Sequence, residues 1–147
     1  TVTGWGASLS GIWQFAENTS LCFQGVYGKG ISNYIQDISG SGLDLVPSAT
    51  AEWKLKAFNA WGGYIGFSDN WSKVLTSNIM YSYARVLDRY GMPATSYKYA
   101  QYAAANLFWD FSEYGSCAIE YVFGRRNDFN KDYGNASRIN TMIQYRF

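Results

Sequence analysis

The residues with the most chemical potential in this sequence are cationic. Arg125 and Arg126 stand in tandem, and Arg138 follows across the polar stretch Asn127–Ser137. If the flanking stretches are adjacent strands, these arginines gather near one mouth of the fold, where they would attract carboxylate or phosphate groups. Neighbouring strand residues point to opposite sides. Only one of Arg125 and Arg126 can therefore face an interior, and Arg126 shares the phase of Glu120. The competing reading is structural: the arginines pair with Glu120, Asp128 or Asp132, or touch lipopolysaccharide phosphates. Lys29, Arg85, Arg89 and Lys98 lie toward the same end with weaker claims. Glu120 and Asp110 are the candidate interior acids, free to tune selectivity or to neutralise interior cations.

Other chemistries fare worse. The chain has no His, which removes the commonest general base and metal ligand. That argues against a phospholipase or protease site, and no catalytic residue, cofactor or metal is expected. Gly28, Gly30, Gly62, Gly63 and Gly66 fall inside strands rather than before a helix, so a phosphate-binding loop fails its context. Such glycines allow curvature or close packing. Asn127–Asp132 scatters Asn and Asp as a calcium loop does, but lacks the spacing and the bidentate Glu. It is assigned to a solvated loop. A net charge of +1 gives no field for nucleic acid.

The elements that must position these residues are strands. The 147 residues include 6 Trp, 13 Tyr and 9 Phe but only 2 Pro. No stretch reaches the ~18 apolar residues of a helical span. Period-two alternation bounded by turn residues predicts seven strands: about 4–15, 20–32, 57–67, 73–87, 97–111, 116–126 and 138–147. Residues 45–56 are strand extension or loop, with Pro47 opposing a central strand there. The connections alternate short and long, the long ones being 33–44, 88–96 and 127–137. Short periplasmic turns and longer extracellular loops are the habit of outer-membrane barrels.

The faces follow from the same period. In the last strand, Ile139, Thr141, Ile143, Tyr145 and Phe147 share one side, and Arg138, Asn140, Met142, Gln144 and Arg146 the other. An Arg at mid-bilayer costs ~2–4 kcal/mol, so the second side faces a lumen. Leu107, Trp109, Phe111, Ile119, Tyr121, Phe123, Leu9, Trp13 and Phe15 face outward. Asn106, Asp110, Glu120, Ser8, Ser10 and Gln14 face inward. The fourth strand puts Arg85 outward near the rim, unless a bulge intervenes. Aromatic residues flank the short turns (Trp13, Phe15, Phe67, Trp71, Trp109, Phe111, Tyr114). Others lie toward the long loops (Tyr27, Tyr34, Tyr83, Tyr90, Tyr97, Tyr99, Phe123). Together they predict two interfacial girdles. The fold class expected is an all-β, transmembrane, antiparallel up-and-down barrel.

Bacterial barrels have even strand counts of eight or more. Residues 1–147 are therefore expected to be one segment, the C-terminal portion of a longer chain. No leader is visible. Cys22 and Cys117 fall four strands apart, ~19 Å at the usual spacing. A disulfide needs Cα atoms within ~7 Å, so two free thiols are expected.

The run Ile139–Phe147 resembles the C-terminal signal read by the barrel-assembly machinery, with Ile143, Tyr145 and Phe147 as its alternating positions. Longer stretches resemble the DcaP-like trimeric porin family. They are Asn18–Ile31, Trp61–Tyr64, Tyr81–Val86, Ala105–Leu107, Glu120–Arg126 and Gly134–Ile139, in that order. The resemblance implies the last seven strands of a sixteen-stranded homotrimeric porin in the outer membrane of a Gram-negative bacterium. Its contacts would be lipid and lipopolysaccharide, and its cargo small, often anionic solutes taken up passively. Lumen and selectivity candidates are then Arg126, Arg138, Glu120, Asp110, Asn106, Gln144 and Arg146. Two alternatives stand beside it. A TonB-dependent receptor would need a plug domain upstream and usually has longer loops. A structural barrel would need bulky or mutually paired inward residues.

Overall fold

The computed structural model describes residues 2–48 and 54–147. Its strands are β1 (Trp5–Ala16), β2 (Thr19–Lys29), β3 (Leu45–Pro47), β4 (Leu55–Ala57), β5 (Asn59–Asn70), β6 (Leu75–Val86), β7 (Tyr97–Asp110), β8 (Gly115–Asp128) and β9 (Tyr133–Tyr145). Seven of them form one antiparallel meander in the order β1-β2-β5-β6-β7-β8-β9. Each is 11 to 14 residues long, enough to cross a bilayer at a tilt. β3 and β4 form a separate ribbon in which Pro47 pairs with Leu55. Pro47 thus sits in a two-stranded ribbon, as its missing N–H requires.

Strand boundaries match the sequence pattern to within a few residues at six of the seven strands. The exception is β9, which begins at Tyr133 rather than near Arg138. Residues 127–137, expected as a long polar loop, are mostly paired: Asn127 faces Tyr133, Arg126 faces Gly134, and Arg125 faces Asn135. Only Phe129–Asp132 turn. The third long loop of the alternation is therefore as short as Phe111–Tyr114. Polarity here reports water around a ladder that stays hydrogen-bonded, not an end of the ladder. The hairpin tip is also tied down, with the Phe129 and Asn130 amides donating to the Ser96 and Ala94 carbonyls at 3.1 and 2.7 Å.

Strand register sorts every side chain to one of two faces, because residues directly opposite one another share a side. One face is apolar. A single row across it reads Trp13, Leu21, Phe67, Ile79, Ala105, Tyr121 and Ile139. Many large apolar side chains on this face are exposed, Leu9 at 71%, Ile139 at 67% and Ile143 at 84%. No soluble domain tolerates so broad an apolar surface. Aromatic rings collect at its two ends. Trp13, Phe15 and Phe67 touch in series at the short-turn end, and Tyr114, Tyr145 and Phe147 do so at the same end toward the other edge of the sheet. Trp5 with Tyr27, and Trp61 with Tyr83 and Tyr99, form the collar at the other end.

Three tyrosines expected in that second collar do not join it. Tyr97 is buried on the opposite face, where its hydroxyl donates to the Ala84 carbonyl at 2.9 Å. Tyr90 packs on Phe58 with ring centroids 5.5 Å apart. Tyr34 sits in a short 3-10 turn of the first long loop. Tertiary packing recruited Tyr97 and Tyr90, whereas Tyr34 stays exposed on its loop. Arg85 remains on the apolar face, between Trp61 and Tyr99 in register, and no bulge occurs there. Cys22 and Cys117 are both free thiols. They also lie on opposite faces: Cys22 pairs with Ile12 and Gly66 on the polar face, and Cys117 with Trp109 and Ile143 on the apolar one.

Candidate functional site: the polar face and its covering loop

The second face is polar at one level and small at another. Across all seven strands one row reads Gln14, Ser20, Ser68, Asn78, Asn106, Glu120 and Asn140. Its side chains bond along the row. Asn78 Nδ2 donates to Asn106 Oδ1 at 2.8 Å, Asn106 Nδ2 to Glu120 Oε2 at 3.4 Å, and Asn140 Nδ2 to Glu120 Oε1 at 2.8 Å. Two amides therefore hold the Glu120 carboxylate from either side. A wholly polar row across seven strands is suited to water rather than to a packed interior.

Toward the long-loop end the same face becomes small: Gly6, Gly28, Ala60, Gly62, Ala84 and Ala100 stand where side chains would otherwise fill the interior. The connection between β2 and β5 folds onto this clearing. Ile31, Ile35, Ile38 and Leu43 from the loop are buried with Phe58, Ala60, Ala84, Val86 and Tyr97 in one cluster. Ile38 is fully buried. Each such side chain contributes about 1.5–3 kcal/mol on leaving water. Backbone bonds fix the loop's shape: the Gly30 amide donates to the Phe58 carbonyl at 2.8 Å and the Phe58 amide to the Asp44 carbonyl at 3.0 Å. Gly30 has φ +67, and its left-handed conformation lets the chain leave β2 sharply inward.

Between loop and wall lies a cleft of about 470 Å³. Tyr34, Gln36 and Asp37 line its loop side, and Gln24, Tyr64, Ser82 and Tyr102 its wall side. The sequence missed this loop as a candidate, since residues 33–44 read as polar coil. The signal available was the spacing of Ile31, Ile35, Ile38 and Leu43 through that coil. The same holds for the small residues at alternate positions of β5 and β6.

The candidate charges fall as follows. Arg126 is on the polar face, but its Nε lies 2.9 Å from Asp128 Oδ1 and its guanidinium stands 5.7 Å from the Tyr97 ring centre. Arg138 is on the same face beside Val122. Among the described residues no carboxylate lies within ion-pair distance of Arg138. Arg125 is on the apolar face over the Tyr133 ring at 4.3 Å. Asp110 and Gln144 flank Ser116 in register at the short-turn end. Arg146 follows β9 there and donates its amide to the Tyr114 carbonyl at 2.7 Å. Ile143, Tyr145 and Phe147 end the chain, highly exposed. Outside the strands, burial against Phe58 raises the Tyr90 hydroxyl above its ordinary range, and nearby Asp88 adds to this. Among the described residues no group of His, Cys, Asp and Glu could hold a metal ion.

An amphipathic meander with an apolar outer face, a polar inner face and a loop folded inward defines the wall of an up-and-down barrel, the fold class expected above. The chain is similar in fold to the outer membrane channel DcaP of Acinetobacter baumannii. Its crystal structure superposes with a TM-score of 0.79 over 98% of this chain at 19% identity. The chain spans about two fifths (41%) of the length of that channel. No known family and no curated protein matches the chain by sequence.

Proposed function

We propose that this chain is part of the wall of an outer-membrane porin, a barrel completed by further strands of a longer protein. It passes small hydrophilic solutes by diffusion. The observation that carries the reading is the packing of Ile31, Ile35, Ile38 and Leu43, from the connection after β2, onto the polar face, where in a closed barrel they would narrow a water-lined lumen. The apolar face then meets lipid, and its two aromatic collars sit at headgroup depth. The likeness to the DcaP channel supports the same reading. A homotrimer, recognition of Ile143, Tyr145 and Phe147 by the barrel-assembly machinery, and a Gram-negative host belong to it as well.

Selectivity on this wall is set by few charges. Glu120 and Asp110 contribute negative charge, and Arg138 is the inner cation without a carboxylate partner. Arg126 is neutralised by Asp128. Arg138 makes anionic solutes the favoured cargo at mid-wall, and Arg146 adds to this at the periplasmic mouth.

Conductance of the full-length protein in a planar bilayer under a salt gradient tests the reading. Stepwise openings, in triplets for a trimer, are the expected result. Folded protein without conductance would overturn it in favour of a plugged receptor or a structural barrel.

A further inference from the structure

The apolar face carries a depression that no feature of the pore requires. Gly25 and Gly63 pair directly between β2 and β5, and they floor a groove of about 1000 Å³. Leu9, Tyr27, Trp61, Ile65, Tyr81 and Tyr83 wall it. A Cβ added at Gly25 would meet nothing within 4 Å, so the floor opens outward. These six side chains are aliphatic or aromatic, which is a surface for hydrocarbon.

A cation stands at the long-loop end of this groove. Arg85 is the register partner of Trp61 and of Tyr99. Tyr83 stacks on Trp61 at 4.8 Å and on Tyr99 at 5.5 Å. Arg85 thus stands in register between two of these three rings, those of Trp61 and Tyr99. Its Nε is buried without a hydrogen-bond partner, and among the described residues no carboxylate is within ion-pair distance. A partly buried guanidinium at an apolar surface is costly unless an anion meets it. Lys29 and Arg125 stand on the same face, each two strands from Arg85 on opposite sides, so the local field is positive.

We propose that this groove binds an anionic, phosphate-bearing lipid of the outer leaflet. One acyl chain lies along the Gly25–Gly63 floor, and a phosphate takes Arg85 through charge-assisted hydrogen bonds. Arg125 and Lys29 hold further anionic groups of the same headgroup. The proposal rests on the membrane-facing assignment of the apolar face made above.

Native mass spectrometry of the full-length protein in detergent, titrated with lipid A and with its dephosphorylated counterpart, tests it. Arg85→Gln is expected to weaken lipid A by about tenfold and leave the dephosphorylated lipid unchanged, the loss of one charge-assisted contact. Gly25→Leu fills the floor from a Cβ that meets nothing within 4 Å and is expected to weaken both lipids. Unchanged lipid A binding in both variants overturns the site. So does disulfide cross-linking between copies carrying Gly25→Cys, which would assign the groove to a protomer contact. Conductance separates this inference from the porin reading. A conducting barrel with no lipid preference sinks the lipid site alone, and a lipid-retaining barrel that does not conduct sinks the porin alone.

Discussion

Ile35 rests on Gly62: a Cβ built on that glycine would lie 3.0 Å from Ile35 Cγ2. One absent side chain on β5 therefore makes room for a loop that is anchored in β2 and β5 and covers the wall beyond. Gly62→Val is expected to push Ile35 off the wall and free the loop. The readouts are a raised open-channel conductance and faster tryptic cleavage at Lys54 and Lys56. Unchanged conductance with unchanged cleavage would show that the loop does not narrow the path.

Ile38 is the deepest contact of the same loop. Ile38→Ala is expected to destabilise the loop's packing by about 2–5 kcal/mol, as large-to-small changes in filled sites do. Because Ile38 takes no part in the hydrogen-bonded ladder of β5 to β9, heat-resistant barrel mobility on gels should persist while loop proteolysis accelerates. Loss of the barrel itself would contradict that division.

Glu120 and Arg138 act oppositely on the passing ions. Glu120→Gln removes a negative charge from the inner wall, so the reversal potential under a salt gradient should move toward anion permeability. Arg138→Gln should move it toward cations. The amides of Asn106 and Asn140 can still bond a Gln at 120, so stability is expected to change little. Shifts of the same sign in both variants would refute the inner placement of one of them.

Cys22 and Cys117 report the faces directly. In the folded protein in liposomes, a charged, water-soluble maleimide should label Cys22 from the lumen and spare Cys117. A lipid-soluble maleimide should label Cys117. Mass measurement without reductant should show no disulfide. Equal labelling of both by the charged reagent would mean the face assignment is wrong.

Gly28 is pinned between strands, since a Cβ there would overlap the Trp5 carbonyl and the Gly6 backbone. Gly28→Ala is expected to break the β1–β2 register near its open end and cut the refolding yield. Gly134→Ala, where an added Cβ meets nothing within 4 Å, is the control that should refold normally.

Much of this architecture was legible in the sequence because its cause is local. Side chains alternate along a strand with period two, so Ile139 and Arg138 had to part company whatever else the chain did. The seven strands, their two faces, the aromatic ends and the unpaired cysteines follow from that period and from turn residues. The polar row through Asn78, Asn106, Glu120 and Asn140 needed register as well, which turn lengths and bulges decide between strands. Three things were settled only by tertiary structure. The segment 31–43 turned inward because Ile31 and Ile35 find the space at Gly6 and Gly62 and Ile38 packs into the cluster that holds Ala84, residues far apart in the chain and brought together only by strand pairing. Asn127–Ser137 stayed in the ladder because a polar strand extension keeps its hydrogen bonds in water. Arg126 met Asp128 because residues two apart on a continued strand share a side, whereas Arg138 has no carboxylate within ion-pair distance among the described residues. Periodicity fixes which way a side chain points, and only the assembled sheet decides what it meets there.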